Sequence, residues 1–125
     1  MTRTIARWIL ALALGTIGVT HFTQTRGFRV VVPDAVTRLA GLDKDTVVRA
    51  SGAAEVALAA ALIALPRQRR VFGAATAAFL AAVFPGNWYQ WRTGRSAPGL
   101  DTDGKRFGRL FLQPVLIGWA LWATR

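Results

Sequence analysis

The sequence contains no cysteine, one histidine and only six acidic residues. The absence of cysteine excludes disulfides, thiolate catalysis and cysteine metal sites within this chain. A single histidine without nearby carboxylates also argues against a metal site. Any redox chemistry therefore has to involve a group or a partner from outside the chain.

Basic residues, in contrast, are abundant: 16 Lys and Arg give a formal net charge of +10. They sit at the ends of apolar runs and in short connections, so the pattern does not indicate a nucleic-acid-binding surface. Arg67, Arg69 and Arg70 follow Pro66 in a tight connection, where guanidinium groups would meet anionic lipid headgroups. We expect membrane lipids, and not nucleic acid, as partners.

Long apolar runs predict the fold. Hydrophobic residues make up 53% of the chain, and about 20 helical residues cross a hydrocarbon core of ~30 Å. Four runs approach that length, so we predict a single all-α domain over residues 1–125, an integral membrane four-helix bundle. Arg7 and Arg109 flank the shorter first and last runs, where their long stems can snorkel. The predicted spans are 5–22, 46–65, 71–91 and 107–124.

The basic segment before the first span resembles a secretory signal, but three more spans follow it, which favours a retained anchor. Four spans place both termini on one side of the membrane. Counting Lys and Arg alone favours the opposite orientation, whereas the arginines packed close to the spans favour cytoplasmic termini, and we adopt the second. The predicted location is the bacterial cytoplasmic membrane.

Three connections join the spans. The first, 23–45, includes a short amphipathic stretch at 34–39 that we expect on the membrane surface. The second, 66–70, is a hairpin between antiparallel helices. The third, 92–106, is rich in glycine and aspartate and predicts a polar loop. We call the side of the third connection the loop face and the opposite side the termini face.

Polar side chains inside spans are costly and are therefore functional candidates. At ~1.5 Å per residue, Glu55 lies about 14 Å from the loop face and the other candidates lie closer to it. Helical spacing places Ser51 and Glu55 on one face, and Arg109 and Gln113 on another. The candidates, which come from all four spans, are His21, Ser51, Glu55, Asn87, Arg109 and Gln113.

Each candidate has two interpretations. Glu55 is either a neutral carboxylic acid bonded to a neighbouring helix or an acid/base paired with Arg109 or His21. Asn87 and Gln113 either pack helices together or orient a ligand. Pro85 and Gly86, just before Asn87, are expected to loosen the third span.

The sequence resembles the DoxX family of small four-helix membrane proteins over nearly its whole length. Residues 18–22 (GVTHF) resemble the family's G-x-x-H-F, 51–55 (SGAAE) its S-G-x-x-E, and 84–87 (FPGN) its F-P-x-N. Arg109 and Gln113 resemble its R-x-x-x-Q. Many members have a glycine three or four residues after the glutamate, where this chain has Leu58 and Ala59, so we expect slightly less close helix packing there.

The resemblance implies a redox-associated membrane subunit, since some relatives are linked to thiosulfate:quinone oxidoreductase and others to complexes that handle oxidative and thiol stress. It suggests a quinone or another amphipathic ligand and a soluble or membrane redox partner protein. Glu55 and His21 would exchange protons, while Ser51, Asn87, Arg109 and Gln113 would bind the ligand.

Two other functions stay open: a non-catalytic anchor that recruits a soluble enzyme, and, less favoured, a small transporter. The sequence does not decide whether the protein is itself an enzyme, or whether it is a monomer or a homo-oligomer.

Overall fold

The computed structural model describes residues 1–29, 32–93 and 102–125, and the regular structure in them is helical throughout. This confirms the predicted all-α class. The two short helices α2 and α3 lie in the first connection, and a 3₁₀ helix at Pro66–Gln68 forms the predicted hairpin. The α-helices are α1 (Thr2–Thr23), α2 (Thr25–Phe28), α3 (Asp34–Ala40), α4 (Lys44–Ala64), α5 (Arg69–Thr93) and α6 (Asp103–Ala123).

Three segments in the described part of the chain are long and apolar enough to cross a membrane: Thr2–Thr23, Lys44–Ala64 and Pro66–Thr93. They correspond to the first three predicted spans. The apolar part of α6, Phe107–Ala123, is shorter because the first turn of this helix is polar. The structure therefore supports a multi-pass membrane protein with three helices of spanning length.

The third connection lies mostly outside the described residues, which end at Thr93 and resume at Thr102. Its two described ends differ from the predicted loop over 92–106, because α5 continues to Thr93 and α6 begins at Asp103. The Thr102 hydroxyl accepts a hydrogen bond from the Lys105 amide at 3.2 Å and so caps α6. This cap explains why the last helix begins earlier than its apolar residues indicate.

Helices α1 and α4 approach most closely at two glycines. A Cβ added at Gly18 would lie 2.8 Å from the Gly52 carbonyl oxygen and 3.0 Å from the Cβ of Glu55. A Cβ added at Gly52 would lie 2.7 Å from the Gly18 carbonyl oxygen and 2.6 Å from the Cβ of His21. Each glycine thus leaves room for the ionisable side chain of the other helix.

The apolar core lies on the termini-face side of this crossing. It includes Ala59, which a Cβ at Gly15 would meet at ordinary contact distance, 3.4 Å. Ala59, at a position where many DoxX proteins have glycine, thus packs against Gly15 of α1. Helix α6 joins the core through Trp119, whose indole nitrogen donates to the Ala6 carbonyl at 3.0 Å. The buried core residues are Leu10, Ala11, Leu14, Ala59, Leu62 and Ala120.

A surface segment formed by α2, α3 and their flanking residues covers the loop-face end of α4. The predicted amphipathic stretch is α3, which ends at Gly41 in the left-handed conformation that favours glycine. Phe28 and Val32 pack on Val48 of α4. Two ion pairs also hold the segment to the start of α4, Arg29 with Asp45 and Lys44 with Asp34.

The hydrogen bond from Arg29 to Asp45 raises the pKa of the Arg29 guanidinium, so this side chain stays charged at any physiological pH. At the start of α4, the Asp43 carboxylate accepts from the Thr46 amide at 2.7 Å and so caps the helix. Hydrogen bonding with the Thr46 side chain, and then with its amide, lowers the pKa of Asp43. Both side chains are therefore charged at neutral pH, and they mark the start of α4.

Helix α5 continues through Pro85 as an α-helix. The helix is thus not broken at Pro85, although the proline nitrogen cannot donate the usual backbone hydrogen bond. The helix stays regular up to Asn87, which is buried with its side chain toward the other helices.

Replacing Gly52 with alanine is expected to lower the free energy of unfolding by about 1–3 kcal/mol, the usual cost of overpacking a filled interface. The new methyl group would press against the Cβ of His21 and the backbone of Gly18. Thermal denaturation of the purified protein, followed by circular dichroism, measures the effect. Gly118→Ala is the matched control, because a Cβ there meets open space. Equal destabilisation by both variants would contradict the close crossing.

Candidate functional site

A cavity of about 220 Å³ lies at the loop-face end of the bundle, between α1, α4, α5 and α6 and beneath the surface segment. Most of its wall is apolar, formed by the surface segment and the neighbouring turns of α4 and α5. Its polar residues include five of the six candidates from the sequence: His21, Ser51, Glu55, Asn87 and Arg109.

His21 and Glu55 face each other across the α1–α4 crossing. The His21 Nδ1 lies 3.4 Å from Oε2 of Glu55, and both side chains are buried. The same Nδ1 is 2.7 Å from the Ile17 carbonyl oxygen, which can only accept, so Nδ1 carries the proton. Phe28 stacks on the imidazole with ring centroids 4.3 Å apart and planes 11° apart. The imidazole is thus held at its edge by the Ile17 carbonyl and on its face by the Phe28 ring.

Two polar atoms of the site are buried and have no hydrogen-bond partner among the described residues. They are Oε2 of Glu55, an acceptor when the acid is ionised, and Nδ2 of Asn87, a donor. Buried polar groups are nearly always paired in native proteins, so such an orphan pair calls for an explanation. Since both residues line the same cavity, a molecule inside it with one donor and one acceptor can satisfy both.

Arg109 and Ser51 complete the polar lining. Arg109 is half-buried at the cavity wall, and no ion pair joins it to Glu55 in the part of the chain that the structure describes. Of the two partners considered for Glu55, His21 is therefore the one within ion-pair distance. The Ser51 hydroxyl donates to the Val48 carbonyl at 3.1 Å, so its oxygen remains available as an acceptor.

Gln113 is the candidate that does not line the cavity. It is buried one turn beyond Arg109, and its amide nitrogen is 3.5 Å from the Leu80 carbonyl oxygen of α5. This contact joins α5 to α6, as in the helix-packing interpretation. A direct contact between Gln113 and a ligand stays a prediction.

Part of the site and several buried polar residues, Gln90 and Arg7 among them, were not predicted from the sequence. The apolar lining from the surface segment, including Phe28, Pro33 and Val36, has no periodic signal that would place it over the cavity. Gln90 is 1% exposed and lies three residues after Asn87, a spacing that puts both on one helical face. Arg7 was expected to snorkel but is buried, at 7% exposed, and follows the helical spacing of the buried face of α1.

The described residues hold no group of three or more His, Cys, Asp or Glu side chains placed to bind a metal ion. To a cation the cavity offers only the pair of His21 and Glu55, with the Arg109 guanidinium in the same wall. A polar organic molecule fits this donor set better than a metal does.

Residues 10–124 match the family model described as domain of unknown function DUF8561. The chain belongs to this family. The match to DUF8561 covers every cavity-lining residue and ends within the last helical turn. No curated protein and no solved structure matches the chain.

The neutral imidazole of His21 is expected to be the Nδ1–H tautomer, because Nδ1 faces the Ile17 carbonyl oxygen. The nitrogen chemical shifts of His21 in isotopically labelled protein measure this directly, and they need no assignment between residues since the chain has one histidine. Shifts typical of the Nε2–H tautomer would mean that the imidazole is oriented differently.

Proposed function

We propose that this DUF8561 protein is a DoxX-like, redox-associated subunit of the bacterial cytoplasmic membrane, and that its cavity binds a quinone or another amphipathic ligand with a ring-shaped polar head. In this proposal Glu55 and His21 exchange protons with the ligand. Arg109, Asn87 and Ser51 hold its polar atoms, and the electrons come from a partner redox protein.

A fourth membrane span, α6, is part of the proposal. Its apolar portion extends about 25 Å at 1.5 Å per residue, slightly less than a hydrocarbon core. Contacts along its length support insertion beside the other helices, from Gln113 with Leu80 to Trp119 with Ala6. Its outward side chains are apolar and exposed, as lipid-facing residues are: Phe111, Leu112, Val115 and Leu121. Four spans would put both termini on one side, which we propose is the cytoplasm.

The observation that carries the proposal is the orphan pair of Glu55 Oε2 and Asn87 Nδ2 in one cavity. A quinone carbonyl accepts a hydrogen bond from the Asn87 amide, and a quinol hydroxyl donates to the Glu55 carboxylate. Reduction of a quinone consumes two electrons and two protons, so a carboxyl group beside a histidine is suited to deliver a proton.

The size and lining of the cavity fit the same ligand class. An apolar cavity of about 150 Å³ already accommodates benzene, so about 220 Å³ has room for one substituted ring. The largely apolar wall suits the faces of such a ring, while the few polar groups fix its orientation. An anchor with no ligand would have no need of this space.

The proposal predicts that Asn87→Leu weakens binding of a short-chain ubiquinone by roughly ten- to a hundredfold, the usual cost of leaving a buried acceptor, here the quinone carbonyl, without its hydrogen bond. Glu55→Gln should retain binding and lose proton-coupled reduction. Binding is measured by quenching of tryptophan fluorescence, since the chain has five tryptophans.

Thr76→Val is the matched control. Thr76 is a fully buried polar residue of α5 that donates to the Phe72 carbonyl within its own helix and does not line the cavity. Its loss should leave quinone affinity unchanged. If Asn87→Leu and Thr76→Val both lower thermal stability while neither changes affinity, the polar residues only fix helix register and the anchor function is favoured.

A further inference from the structure

A second ionisable residue is buried at the opposite end of α1. Arg7 is 7% exposed, and its Nε is buried without a hydrogen-bond partner among the described residues. Arginine is always charged, so burying one nitrogen of its guanidinium without a partner is unfavourable unless an acceptor or an anion compensates it. The proposed quinone cavity does not use Arg7, since fourteen positions separate it from His21, about 21 Å along the helix.

No acidic side chain of the protein can supply that anion. The sequence has no Asp or Glu in residues 1–33, 56–100 or 104–125, which include every helical turn at the termini face. The nearest carboxylate of the packed helices, Glu55, lies beside His21 at the other side of the apolar core. No acidic side chain at this end compensates Arg7, so an anion that binds there can supply the missing charge.

Packed residues lie next to Arg7 along α1 and at the same end of the bundle. Trp119 of α6 donates to the carbonyl of Ala6, the residue before Arg7. Leu10, Ala11 and Leu14 continue the same buried face of α1 toward the core. The tight packing of Thr124 on Gly73 closes α6 against α5 at this end.

Other arginines at the termini face are either hydrogen-bonded or exposed, unlike Arg7. Arg69 already donates to two main-chain oxygen atoms, those of Arg125 and Pro66, while Arg67 and Arg70 are exposed. Arg7 is the buried guanidinium of this end within the described residues. Together these groups make a strongly positive region that attracts anions toward the buried one.

We infer that Arg7 is the anchor of a second ligand site, which binds the phosphate group of an anionic membrane lipid at the termini face. The planar guanidinium matches two phosphate oxygens, and burial of the side chain strengthens that charge-assisted pairing. The depth also fits, because Arg7 lies about one and a half turns inside the start of α1, where a helix passes from headgroups into hydrocarbon. The lipid source of the phosphate rests on the proposed membrane location, whereas the phosphate site itself does not.

The test uses the purified full chain in a neutral detergent. Thermal midpoints are measured by tryptophan fluorescence during titration with dioleoyl phosphatidylglycerol, with dioleoylglycerol, which has the same acyl chains without phosphate, and with inorganic phosphate against chloride. Phosphatidylglycerol is expected to raise the midpoint and dioleoylglycerol is not. A response to inorganic phosphate as well would identify a site open to free anions, and a response to phosphatidylglycerol alone would identify a headgroup site.

Arg7→Gln is expected to weaken phosphatidylglycerol binding by roughly ten- to a hundredfold. Arg67→Gln, which removes an exposed arginine from the same end, is the matched control and should weaken it by about twofold or less. If Arg7→Gln does not yield folded protein, Arg7→Lys, which keeps the charge without the planar fork, should bind about tenfold more weakly.

Unchanged binding by the Arg7 variant tested, or equal midpoint shifts with phosphatidylglycerol and dioleoylglycerol, would overturn the assignment. Asn87→Leu should bind phosphatidylglycerol like the unmodified chain. Failure of the quinone proposal and failure of the phosphate site are therefore separate results.

Discussion

The close crossing of α1 and α4 determines most of what lies around it. With only hydrogen atoms at Gly18 and Gly52, the two backbones approach until each glycine contacts the Cβ of an ionisable residue on the other helix. Lipid offers no hydrophobic driving force between helices, so close packing of this kind is what holds apolar helices together. The same contact brings His21 to Glu55, and the cavity opens on the side where α5 and α6 do not fill the space beside that pair.

The helices and the depth of the polar residues could be predicted from sequence because both depend on local rules. A run of about 20 apolar residues forms a helix in lipid, and a rise of 1.5 Å per residue converts position into depth. That arithmetic grouped His21, Glu55, Asn87 and Gln113, and helical spacing added Ser51 and Arg109; all of these except Gln113 line one cavity in the structure. Depth alone could not separate Gln113 from the residues that line the cavity, because the cavity ends within the single helical turn between Arg109 and Gln113. Where the cavity ends depends on packing between helices, such as the contact of Gln113 with Leu80.

Tertiary packing also accounts for the other differences. Arg7 was expected to extend toward water because long basic side chains usually do so near helix ends, but α6 packs against α1 at Ala6 and Arg7 is buried. The surface segment contributes Phe28, Pro33 and Val36 to the cavity through contacts with α4 that are distant from any periodic pattern. The start of α6 depended on one hydroxyl group, that of Thr102, which hydropathy does not register.

The two ion pairs of the surface segment have a mechanical consequence. Arg29, at the end of α2, and Asp34, at the start of α3, are held by Asp45 and Lys44, adjacent residues in the first turn of α4. The two ion pairs hold both short helices beside the first turn of α4, and Phe28 also packs on Val48 of that helix. A tilt of α4 would therefore carry Phe28 and Glu55 together relative to Asn87 and Arg109 on the opposite wall of the cavity.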